Sequence, residues 1–164
     1  MIEVIEQNGD WDSAALQDWC QTALAAVCAR LDLPAEDVAL SVLAADDARI
    51  ATLNAEFRGK PTPTNVLSWP AHALIPPALP PADFDGAIEL GDIALAHGVC
   101  TAEAAAQKKP FEHHVTHLLV HGMLHLLGYD HESDAEAAVM EGLEVEILGN
   151  LEISDPYSAD RDGP

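Results

Sequence analysis

Residues 111–127 constrain the fold more than any other stretch of the chain. Val115, Leu118, Leu119, Val120, Leu124 and Leu127 surround a helical wheel and leave only a stripe of histidines. A helix that is apolar on nearly every side is stable only where other elements cover it. The spacing therefore predicts a helix buried in the middle of the core. His121 and His125 stand one helical turn apart and project from the same face. Gly128 follows His125 by three residues, where a glycine can take the left-handed conformation that ends a helix. The chain can then turn back and bring His131 toward the other two. Three converging imidazoles with a fourth position open are how a catalytic zinc site is built.

The remaining chain has to supply the layers around that helix. Ile2 and Val4 alternate with acids, which reads as a strand over 1–6 with one polar face. Asp10, Asp12 and Ser13 are candidate N-caps for an amphipathic helix with Leu16, Cys20, Leu24, Val27 and Leu31 inward, closed by Leu33-Pro34. The apolar run 38–44 predicts a buried strand. Asp46 and Asp47 open a second helix with Ile50, Leu53 and Phe57 inward and Asn54, Glu56, Arg58 and Lys60 toward its end. After a turn-rich stretch, Val66-Leu67-Ser68-Trp69 reads as a short strand stopped by Pro70. Residues 71–86 are rich in proline and predict a surface loop. A strand over 88–95 and a helix over 98–107 precede the central helix.

Ser133 and Glu136 have capping-box spacing ahead of a last helix, with Val139, Met140, Leu143 and Ile147 inward. The expected architecture is α+β: a small mixed sheet of about four strands packed with five or six helices, the central one carrying the metal motif. Residues 1–153 are expected to form one domain, and 154–164 a polar, frayed C-terminal tail.

Charge narrows the possible partners. Seven basic residues face 28 acidic ones, a net charge of −21. Such a surface repels nucleic acid at long range and disfavours a broad phosphate-binding face, though not a local cationic cleft or a metal that binds phosphate. Cys20, Cys28 and Cys100 form no C-x-x-C pair, which argues against a disulfide framework or a cysteine zinc site; Cys20 and Cys28 read as core filler. The sequence contains no apolar run long enough to cross a bilayer and starts without a signal-peptide pattern, so a cytoplasmic protein with no membrane partner is expected.

The spacing His121, His125, Gly128, His131 coincides with the metalloprotease pattern H-E-x-x-H-x-x-G-x-x-H, except that Gly122 stands where the protease has its general-base glutamate. The cage is present and the protease base is absent, which disfavours proteolysis. A purely structural metal is disfavoured because such sites usually include cysteines. His117, one turn before His121, could orient a ligand or a substrate phosphate, or be a partly exposed polar side chain. Asp130 and Glu132 flank His131. Either could accept a hydrogen bond from a ligand imidazole or take a proton from water, and either could equally be solvated. His72, His97 and His113 carry no spacing argument.

His121-Gly-Met-Leu-His125-Leu-Leu-Gly128-Tyr-Asp-His131 resembles the signature of the YbeY family of bacterial endoribonucleases and rRNA maturation factors. Leu53-Asn54, Phe57-Arg58, Lys60 and Pro63-Thr64-Asn65-Val66-Leu67-Ser68-Trp69-Pro70 are similar to a second family segment, and Leu90-Gly91-Asp92-Ile93 to a third. Met140-Glu141 and Asp155-Pro156-Tyr157 fit the family's final helix and tail, so the likeness spans most of residues 38–157. Two positions depart from the family pattern: Asn65 replaces an aspartate and Trp69 a phenylalanine. No catalytic role is assigned to Asn65, because the charge is gone.

The resemblance implies one Zn²⁺ held by His121, His125 and His131, with Arg58 contributing to activity. It implies metal-dependent cleavage of single-stranded RNA in small-subunit rRNA 3′-end processing and ribosome quality control. The implied partners are rRNA and the ribosome or its associated proteins, with no DNA. A guanidinium can contact two non-bridging phosphate oxygens at once, and a zinc ion can polarise one or activate a water. Arg58 and His117 are thus the expected catalytic residues, His117 through a ligand or a phosphate. The alternatives are a zinc hydrolase of another substrate and a non-catalytic ribosome-assembly factor with a structural metal.

Overall fold

The computed structural model describes residues 1–7 and 10–157. The elements run β1 (Ile2–Glu6), α1 (Ser13–Leu31), a 3-10 turn (Ala35–Asp37), β2 (Val38–Ala45), α2 (Asp47–Arg58), β3 (Val66–Pro70), β4 (Ile88–Ala96), α3 (His97–Ala106), α4 (Phe111–Leu126) and α5 (Asp134–Asn150). Four strands form one sheet in the order β1-β2-β4-β3. β1, β2 and β4 are parallel, and β3 closes the edge antiparallel to β4. The expected α+β architecture with a small mixed sheet is what forms.

Local chemistry sets the boundaries. Asp12, Asp46 and Ser133 cap α1, α2 and α5, each side chain accepting a hydrogen bond from a backbone N–H of the first turn. β2 alternates strictly: Val38, Leu40, Val42 and Ala44 point into the main core. β4 changes parity midway. Leu90 is an extra residue where Ala39 pairs with Glu89 and Leu40 with Gly91. As a result Ile88 and Leu90, then Ile93 and Leu95, all face the main core.

That core lies between the sheet and the helices α1, α4 and α5. The opposite face carries a smaller cluster in which Ile50 and Leu53 of α2 pack on Leu67, Ala94 and Ala96. α4 occupies the centre, with Val115, Leu119, Val120, Met123 and Leu124 fully buried.

Two inward assignments do not hold. Phe57 is 62% exposed and packs edge-on against Trp69 with ring centroids 5.5 Å apart. Asn54 takes the inward place because its side-chain amide donates to the Thr62 carbonyl at 2.9 Å and pins the turn leading to β3. Val139 is also exposed, at 57%: the buried stripe of α5 is Met140, Leu143, Glu144, Ile147 and Leu148, and Val139 lies off it. The tail expected at 154–164 is described only as far as Tyr157, which reaches back to the side chain of Glu144. Residues 158–164 lie outside the described part of the chain.

No helix among the described residues is long and apolar enough to cross a membrane. The three cysteines are buried and unpaired. Burial pushes the Cys20 and Cys100 thiols up to about 12 and Cys28 to about 11.

Candidate metal centre

The last turns of α4 present His121 and His125 on the side turned away from the sheet, and the turn after α4 returns His131 to them. The return depends on Gly128, whose φ is +96°. A Cβ at this position would also lie 2.3 Å from the carbonyl oxygen of Leu74. The proline-rich loop 71–86 therefore runs directly across the turn that delivers His131. Its Ile75, Leu79 and Phe84 are exposed, as a surface segment requires.

One ligand atom from each of His121, His125 and His131 falls within 4.8 Å of the others. The Nε2 atoms of His121 and His125 are 3.0 Å apart. Their Nδ1 atoms are committed elsewhere. His125 Nδ1 donates to the Tyr129 carbonyl at 2.9 Å, and His121 Nδ1 donates to Glu144 Oε1 at 2.6 Å. Each ring thus turns a bare Nε2 lone pair on its neighbour, an arrangement that repels unless a cation sits between them. Two imidazoles on a tetrahedral metal at 2.0–2.1 Å bring their nitrogens about 3.3 Å apart. The donor set fits a metal ion. Burial, with the neighbouring His121 and His131, pushes the His125 imidazole down to about 4, so it is neutral, the form that coordinates.

Glu144 was missed in the sequence, and it is central to the geometry. Its side chain is fully buried in α5, between the histidine stripe and Tyr157. Burial opposes its charge, but hydrogen bonds from His117, His121 and Tyr157 outweigh that and hold the carboxyl down at about 2. Tyr157 O–H donates to Glu144 Oε2 at 2.6 Å, and burial and the carboxylate raise the phenol well above its usual range. A visible signal existed: a glutamate on the apolar stripe of a helix, one turn from Met140 and from Leu148. The expected flanking acids do less. Asp130 accepts from the His131 backbone N–H at 2.8 Å, and Glu132 is exposed.

His117 stands next in the stripe, 3.5 Å from Glu144 Oε1 and 3.4 Å from the Tyr157 hydroxyl. It shares the carboxylate with His121 and does not join the cage. His114, above it, is buried against Glu103 at 2.9 Å. His97 packs among the rings of Trp11 and Phe111, and His113 lies near Glu112. Arg58 ends α2, a helix on the opposite face of the sheet from α4. It is exposed and forms no hydrogen bond or ion pair with a cage residue.

Gly122 faces the sheet. A Cβ there would sit 3.0 Å from Ile93 Cδ1, so a larger side chain at this position would start toward the sheet and press on Ile93. The position of the protease base is thus occupied by a residue with no side chain that faces the sheet rather than the cage.

The sequence matches the family described as Endoribonuclease YbeY over residues 1–152. A protein of that name from Dinoroseobacter shibae is 55% identical over 162 residues, covering 95% of this chain and 90% of its own length. Another from a Ruegeria species is 52% identical over 170 residues, covering 100% and 99%. The solution structure of a Thermotoga maritima protein matches with a TM-score of 0.56 and 25% identity, covering 95% of this chain and 98% of that one. The family match runs through all four strands, the whole of α4 and the turn that carries His131, and relatives of the same name are more than half identical over nearly the whole chain: the chain belongs to the endoribonuclease YbeY family.

Proposed function

We propose that this chain is a metal-dependent endoribonuclease that cleaves single-stranded RNA, acting on rRNA in small-subunit 3′-end maturation and ribosome quality control in the cytoplasm. The observation that supports it best is the convergence of His121, His125 and His131 with the Nδ1 protons of His121 and His125 already committed to Glu144 and the Tyr129 carbonyl. These three imidazoles would hold a single Zn²⁺. When bound, that ion supplies Lewis acidity toward a phosphoryl oxygen.

The chain's own residues do the rest. Glu144 and the Tyr129 carbonyl fix ring orientation and tautomer, so no rearrangement of His121 or His125 is needed on binding. His117 sits where a proton can be shared with Glu144 and Tyr157, beside the cage rather than in it. Arg58 is exposed at the end of α2, across the sheet from α4, and has no hydrogen bond or ion pair among the described residues, so its guanidinium can hold two non-bridging oxygens of an RNA strand that extends past the cage. In a chain of net charge −21, RNA has to be recruited locally. A ribosomal partner that presents the RNA fits that requirement.

The experiment is ribonuclease assay of wild type, Arg58→Ala and His121→Ala on single- and double-stranded RNA, with metal analysis of each protein. His121→Ala is expected to lose its metal and about 100-fold or more in rate; Arg58→Ala is expected to keep its metal and lose about 10- to 100-fold. Full activity in both variants rejects the assignment. Because α4 is buried by its apolar residues, the chelated protein is expected to stay folded and inactive; unfolding on chelation would instead favour a structural metal.

A further inference from the structure

Two of the chain's three lysines, Lys108 and Lys109, are adjacent and line the mouth of a cavity of about 750 Å³ between α3, the start of α4 and the segment before Tyr157. His113 and His117 line it as well. Tyr157 forms part of its wall, and Tyr157 also lines the smaller cavity of about 340 Å³ onto which His121 and His131 open. The two spaces therefore meet at one aromatic side chain, and the histidine stripe of α4 runs from one to the other.

The charges in the larger cavity are unequally engaged. Glu103 accepts from the Asn65 side-chain amide at 3.1 Å and is paired with His114 at 2.9 Å. Asp155 Oδ1 accepts from the Tyr157 backbone N–H at 2.7 Å. Neither lysine ammonium forms a hydrogen bond or ion pair among the described residues. Both lysines are set by the end of α3, where Lys108 takes a left-handed backbone (φ +55°) and Lys109 N–H donates to the Ala104 carbonyl at 3.1 Å. Partial burial lowers the proton affinity of Lys109, although Glu103 opposes this. With no hydrogen bond of their own to give up, both ammonium groups can contact an incoming anion directly.

We propose that this cavity binds the RNA strand beside the scissile phosphate, with Lys108 and Lys109 contacting its backbone phosphates and Tyr157 marking the passage to the cage. The proposal rests on the endoribonuclease reading above and adds where the substrate lies. It also gives RNA two ammonium groups to meet in a chain of net charge −21, in a cavity whose acids, Glu103 and Asp155, already accept hydrogen bonds.

The test uses the metal-loaded protein and a labelled single-stranded RNA of about twelve nucleotides, a length that spans a typical single-strand site. Binding is read by fluorescence anisotropy and cleavage by KM and kcat, each at several salt concentrations. The double variant Lys108→Ala/Lys109→Ala is expected to weaken binding and raise KM about 10-fold or more, with kcat little changed. Its slope of log affinity against log salt is expected to flatten by about 1.4, the value for two single-strand phosphates. Metal content and melting temperature serve as the folding control, and Lys108→Arg/Lys109→Arg is expected to restore affinity. Unchanged affinity and salt slope in the alanine variant overturn the proposal even if the wild type cleaves RNA. A wild type that binds this RNA without cutting it counts against the endoribonuclease reading alone, and the lysine comparison still decides the binding site.

Discussion

The two sides of α4 are built from one helix and obey different rules. On its packed side, Val115, Leu119 and Met123 are fully buried, and even a methyl at Gly122 would press on Ile93 of the sheet. Away from the sheet, His117, His121 and His125 are partly exposed, and each is held by a hydrogen bond or close polar contact from elsewhere. One side is specified by volume, the other by direction. Changes on the packed side should therefore alter stability first. Changes on the histidine side should alter metal binding and rate while the fold survives.

Gly122→Glu should have the largest effect. It restores the protease-like residue but places a charge against Ile93, costing about 3–5 kcal/mol from overpacking and an unpaired buried carboxylate. Urea unfolding measures this. A stable variant that gained peptidase activity would break the distinction between the two sides. Glu144→Gln keeps the shape and removes the charge that orients His121. It should weaken metal binding about 10- to 100-fold with little loss of fold, as measured by competition against a chelator. Unchanged metal affinity together with a lower melting temperature would move Glu144 to the packed side.

Tyr157→Phe removes one hydrogen bond to that carboxylate, worth about 1 kcal/mol or about 5-fold in metal affinity. The same competition experiment resolves it. The smallest effect should be on thiol labelling. With Cys20 and Cys100 pushed up to about 12 and buried, a thiol reagent at pH 8 should leave them unmodified until denaturant is added. Rapid labelling of the native protein would show that the packed side is not closed.

How far the sequence reached follows the same division. The cage was legible because it is local: a one-turn spacing, a glycine that ends the helix and a third histidine just beyond. The core helix was legible because its apolar residues leave only one polar stripe. Glu144 was harder to see, because its partner lies on another helix and its only mark was a charge on an apolar stripe. Tyr157 was marked only by the resemblance of Asp155-Pro156-Tyr157 to the family's tail, since a polar, proline-containing segment carries no periodicity that would place its side chain. Phe57 and Val139 were misassigned for a related reason: hydrophobicity does not fix which side of a helix is covered once a hydrogen-bonded Asn54 or a buried Glu144 takes the inner position. Arg58 could be picked out only by resemblance, and its place at the end of a helix on the far face of the sheet is a matter of topology.

The order of these parts along the chain has a consequence for timing. Synthesis proceeds from the N-terminus, and domains form as their residues become available. β1 to β4 all precede the first cage histidine, while His131, Glu144 and Tyr157 come after α4. A nascent chain can therefore complete its sheet before it has a third ligand for the metal or the carboxylate that aims His121. On the reading proposed above, the metal centre is the last part of the molecule to be completed, after the sheet and the central helix that support it.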